Sequence, residues 1–215
     1  MTNIIIASVM VCNLPKFLDG RLVLSGYHGV WEAVEKLPDD ILSYFTDDVG
    51  NKPVSYGGLL QIIDTQVLEI LNDKGFFVCF RGIHEKYLEH VQAYPPKEIY
   101  QNLANGLKLL GWDISTGNGW CTASCEGIFP INPFTGEVLD ENISQLNEYS
   151  LFNDLDNCLN YCHINNEKIP ENSPWYPVAI YVDQFSYKRL SAYLIARNAN
   201  TARQKVHENQ GGRLY

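Results

Sequence analysis

Apolar residues fall along this chain in two rhythms, short unbroken runs and longer stretches with three- and four-residue steps. Unbroken runs read as strands. The fullest is Phe76-Phe77-Val78-Cys79-Phe80, with Gly75 before it and Arg81-Gly82 after it. A short run rich in aromatic and β-branched residues, bounded by glycines, predicts a central strand buried on both faces. Ile4 to Cys12 predicts a first strand, Arg21 to Ser25 a short second one stopped by Gly26, and Val178 to Val182 another of the buried type. Trp112 to Ser115 and Trp120 to Ser124 flank Asn118-Gly119, a strong hairpin signal.

The stepped stretches read as helices. Residues 30–37 and 39–45 give two short ones, separated by Pro38. Leu59, Leu60, Ile63, Val67, Ile70 and Leu71 form a clean stripe, and Gly75 stands at the usual C-terminal cap position. A short helix is expected over His84 to His90. Another follows Pro95-Pro96, with Ile99, Leu103, Leu107 and Leu110 as its stripe and Gly111 closing it. Leu151, Leu155, Cys158, Leu159 and Cys162 mark a further helix, and Tyr187, Leu190 and Leu194 the last. The expectation is an α+β fold, with a mixed or antiparallel sheet packed against several amphipathic helices. One domain is expected over residues 1–209, with a flexible tail over 210–215.

Charge narrows the function. A net charge of -9 and a sequence pI near 5.0 argue against a general nucleic-acid binder, which neutralises phosphates with Lys and Arg. They suit a protein whose partner is basic. The apolar run at Ile4 to Cys12 follows only Met1-Thr2-Asn3, without the positive residues of a secretory signal, and is too short to span a bilayer. A cytoplasmic location, with no membrane association and the six cysteines as thiols, is therefore expected.

Each candidate for chemistry has a plainer reading beside it. Cys121 with Cys125, and Cys158 with Cys162 and His163, give C-x3-C pairs that zinc could use. Zinc knuckles usually have two intervening residues, and Cys158 and Cys162 lie on an apolar stripe, where free cysteine behaves as a small hydrophobe. His84-Glu85-Lys86-Tyr87-Leu88-Glu89-His90 brushes two metalloprotease patterns, but Leu88 and Lys86 stand where each needs a histidine. A thiol- or metal-dependent hydrolase would use Cys121 or Cys125 with a histidine such as His28 or His163. No nucleophile elbow, phosphate loop or dinucleotide fingerprint supports it, and no cofactor is expected.

The layout of charge is more informative. From Glu137 to Glu171 eight carboxylates face one lysine, a local net of -7. From Lys188 to the end the net is +5. The expected partner-binding surface comprises Asp140, Glu141, Glu148, Asp154 and Asp156, with Tyr149 and Phe152 as apolar anchors. The plainer reading is a solvated helix face. An acidic, motif-free domain of this kind is similar in class to bacterial immunity proteins. The expected function is a cytoplasmic inhibitor that neutralises a basic, nucleic-acid-acting toxin by occluding its active surface, without itself binding nucleic acid.

Overall fold

A computed structural model describes residues 4–12, 16–18, 21–23, 26–27, 69–71, 73–90, 106–116, 146–168, 170 and 173–211. Strands β1 (Ile4–Cys12), β4 (Gly26–Tyr27), β5 (Phe77–His84), β6 (Lys108–Thr116) and β7 (Trp175–Val182) form one sheet in the order β4-β1-β5-β7-β6. Every pairing in it is antiparallel. A separate hairpin joins β2 (Lys16–Leu18) to β3 (Arg21–Val23), with Leu18 opposite Arg21. The described residues also include two long helices, α1 (Leu155–Lys168) and α2 (Gln184–Gly211), the end of a helix at 69–71 and 73, and a 3-10 turn at Glu85–His90. The architecture is α+β. The predicted helices at 30–37 and 39–45, most of those at 55–71 and 96–111, and the hairpin strand at 120–124 lie outside the described residues.

The run Phe76 to Phe80 supplies the central strand, β5. Adjacent residues of a strand face opposite ways, yet both Cys79 and Phe80 are fully buried. The strand does not stop at Arg81-Gly82, as expected, but continues to His84. Gly82 serves close packing. A Cβ there would stand 2.6 Å from Ile4 Cγ2 and 2.8 Å from Tyr181 Cε2. Gly75 does end a helix: its φ is +89°, and the amide of Phe76 donates to the Leu71 carbonyl at 2.9 Å.

Each face of the sheet carries its own core. On one face Cys79, Ile83, Tyr176, Val178, Ile180 and Val182 pack with Leu22 from β3 and Leu190 from α2. Asp183 caps α2 by accepting the amides of Phe185 and Ser186 at 2.7 and 2.8 Å. Tyr187 and Leu194 pack beside Leu190, the stripe expected for this helix. Beyond them, residues 195–200 are exposed on all sides. The expected tail overlaps the end of α2 at 210–211, and 212–215 lie outside the described residues.

On the opposite face Trp112, Ile114, Trp175 and Ala179 pack against Cys158, Tyr161 and Cys162 of α1. These three recur at helical spacing, so one stripe of α1 meets the sheet. Asn166 fastens the far end of α1, donating to the Trp175 carbonyl at 3.1 Å and accepting the Trp175 amide at 2.8 Å.

Two expectations about boundaries fail here for one reason. Gly111 was expected to close a helix carrying Leu110, but both residues lie in β6, where the register against β7 shifts between Leu109 and Gly111. Leu151 was expected on the stripe of α1, but it precedes that helix. The two residues meet in space, since a Cβ on Gly111 would stand 2.7 Å from Leu151 Cβ and 2.8 Å from the Phe152 carbonyl oxygen. Gly111 is a notch into which a neighbouring segment fits.

Candidate functional site

The segment in that notch, residues 146–152, carries the centre of the expected binding surface. It folds back on itself through an isolated bridge between Leu146 and Phe152. Asn147 holds the turn together. Its Oδ1 accepts the amides of Tyr149 and Leu151 at 2.9 and 3.2 Å, and its Nδ2 donates to the Leu110 carbonyl at 2.8 Å. Ser150 takes a left-handed conformation, φ 60°, and its amide donates to the Asn147 carbonyl at 3.0 Å. Trp112 and Phe152 exchange both backbone hydrogen bonds, at 2.9 and 2.8 Å, so the segment pairs with the outer side of β6 at that point. The Glu148 carbonyl accepts the Leu22 amide at 2.8 Å, which ties in β3 as well.

This anchoring decides which side chains face water. Glu148, Asp154 and Asp156 are exposed, as is Glu167 farther along α1. Tyr149 and Phe152 are 6% and 2% exposed. The expectation that these two aromatics offer themselves to a partner is corrected: they fill the protein's own cores, on opposite faces of the sheet. Burial pushes the Tyr149 phenol above its ordinary range, against a hydrogen bond with Ser191 of α2 that opposes the shift. Phe152 lies against Tyr161, with ring centroids 5.6 Å apart.

Asp154 also has a structural duty. It caps α1, accepting the Asn157 amide at 2.8 Å on Oδ1 and the Asn157 side-chain amide at 2.7 Å on Oδ2. Asp156 lies in the first turn, where the helix dipole favours a carboxylate. Three exposed carboxylates thus stand on a short stretch bound to the sheet at both ends. Asp140 and Glu141 lie outside the described residues.

The thiols of α1 are core groups. Cys158 and Cys162 are buried, and Cys158 Sγ donates to the Asp113 carbonyl at 3.3 Å. Burial, with Cys162 and the carboxylates of Asp113 and Asp154 adding to it, pushes the Cys158 thiol well above its ordinary range. At neutral pH it stays protonated, which does not suit a nucleophile. His163 is 72% exposed and stands 3.4 Å from Glu167 on the outer surface of α1. His84 accepts the Lys86 amide on Nδ1 at 3.2 Å, and Glu85–His90 form a 3-10 turn. Cys121, Cys125 and His28 lie outside the described residues. Among the described residues no helix is long and apolar enough to cross a membrane. No protein-family model, no curated protein and no solved structure matches this chain.

Proposed function

We propose that this chain is an acidic binding protein that captures a basic partner, of the kind a nucleic-acid-acting toxin presents, and covers the partner's cationic surface. One observation carries the reading. Glu148, Asp154 and Asp156 point outward from a segment whose apolar residues are all committed inward and whose backbone is hydrogen-bonded to β6. Carboxylates on a rigid support lose little freedom on binding, so they can steer and orient a cationic surface at low entropic cost. They would meet the Lys and Arg that otherwise hold phosphate. With Tyr149 and Phe152 inside, those two residues act through the support and not through the interface.

Co-expression tests this. If the product of the gene next to this one arrests cell growth, the present chain should restore it and co-purify with that product. Glu148→Lys with Asp156→Lys should weaken the rescue while the variant remains folded. An unchanged rescue by the double variant overturns the acidic-surface reading.

A further inference from the structure

The central strand carries a cation inside the protein. Arg81 pairs with Ile180 of β7, so it shares a face with Val178, Ile180 and Val182, all fully buried. Arg81 itself keeps only 9% of its surface exposed. Its Nη2 donates to Ser115 Oγ at 3.3 Å, and that serine is 0% exposed. Its Nε is buried and has no hydrogen-bond partner. Among the described residues no carboxylate forms an ion pair with it. Asp113, on the same face two positions before Ser115, turns its Oδ1 to the Ile114 amide at 2.8 Å.

A buried charge is costly unless it is paired and its donors are satisfied. Nε–H and one Nη2–H lie along one edge of the guanidinium, in the fork that fits two oxygens of a carboxylate or phosphate. A water could take the Nε proton, but it would bring no charge. The apolar neighbours hold the local dielectric low, which strengthens any anion contact made there. Ser115 stands opposite Tyr176, on which Tyr87 stacks at 5.6 Å, so the hydroxyl that Arg81 reaches lies beside an aromatic pair.

We propose that Arg81 and Ser115 form a receptor for a small oxyanion, a carboxylate or a phosphate, bound side-on to the Nε and Nη2 edge of the guanidinium with the serine hydroxyl as third contact. This site lies inside the sheet face and is independent of the acidic surface.

The test uses the full chain and follows the Arg81 Nε–H resonance by NMR while inorganic phosphate, acetate or chloride is titrated at matched ionic strength. A saturable shift with phosphate alone assigns a phosphate site, with acetate alone a carboxylate site, and with both a general oxyanion site. Arg81→Lys keeps the charge but loses the fork. By calorimetry it should weaken binding by about tenfold or more, and Ser115→Ala by about threefold. If Arg81→Lys fails to fold, Ser115→Ala decides. No saturable shift with either oxyanion overturns the proposal. So does an equal shift with chloride, or unchanged affinity in Ser115→Ala together with unchanged affinity in any folded Arg81→Lys.

Discussion

Gly111 and Asn147 fit as notch and clamp: a Cβ on the glycine would stand 2.9 Å from Asn147 Nδ2, the atom that donates to the Leu110 carbonyl at 2.8 Å. The strand leaves room at one residue, and the turn from 146 to 152 closes into it. The carboxylates of Glu148 and Asp154 take their positions from this joint.

Gly111→Ala should therefore destabilise the protein by about 1–3 kcal/mol, the usual range for overpacking. The neighbours a Cβ would meet include the Phe152 carbonyl, which belongs to the backbone and yields little. Gly82→Ala should cost a similar amount through Ile4 and Tyr181. Gly106, with open space around its Cβ position, should tolerate alanine within about 0.5 kcal/mol. Urea unfolding of the three variants checks the order.

Asn147→Ala should cost about 2–4 kcal/mol, because it strips partners from the Leu110 carbonyl and from two amides at once. Asn147→Asp keeps the acceptor for both amides but sets a carboxylate oxygen against the Leu110 carbonyl, so it should be destabilising as well while the two amides stay bonded. Hydrogen exchange at Tyr149 and Leu151 should speed up in the alanine variant and much less in the aspartate one.

The two acids at the start of α1 should separate by role. Asp154→Ala removes the cap and should cost about 1 kcal/mol of stability. Asp156→Ala, with an exposed side chain, should change stability by less than about 0.5 kcal/mol. Thermal unfolding distinguishes them. It follows that a charge reversal meant to leave the fold intact belongs at Glu148 and Asp156, not at Asp154.

Stability should fall on the alkaline side. Burial raises the Cys158 thiol above 9.0, and the phenols of Tyr149, Tyr161 and Tyr181 above 10.0. The folded chain keeps these protons where the unfolded chain has released them. The contribution is thus complete below the unfolded pKa and is lost as pH rises through the window above it. Urea midpoints should hold from neutral pH to about 9 and then decline. Cys158→Ala should remove the earliest part of the decline. At neutral pH Cys158 should react with a thiol reagent only after unfolding.

Much of the sheet was legible because unbroken apolar runs have few other uses. Ile4 to Cys12, Phe77 to Phe80 and Val178 to Val182 all lie in strands, and the stripe of Tyr187, Leu190 and Leu194 faces the core as its spacing implied. Glycine was the ambiguous letter. Gly75, Gly82 and Gly111 read alike in sequence, as stops, yet only Gly75 ends an element. The other two admit close neighbours that are distant in the chain, which no local pattern reveals. Tyr149 and Phe152 were misplaced because a turn has no periodicity to show which way a side chain points. Arg81 looked like the polar end of a run, although Gly82-Ile83 beyond it were a faint sign that the strand continued.

The carboxylate surface can be tested most directly by stopped-flow association with whatever protein co-purifies in the co-expression experiment, at low and at high salt. For the wild-type chain the rate should fall steeply as salt screens the charges, and Glu148→Lys with Asp156→Lys should slow it about tenfold at low salt with dissociation nearly unchanged. Equal association rates for the two proteins, with the same dependence on salt, would contradict the account.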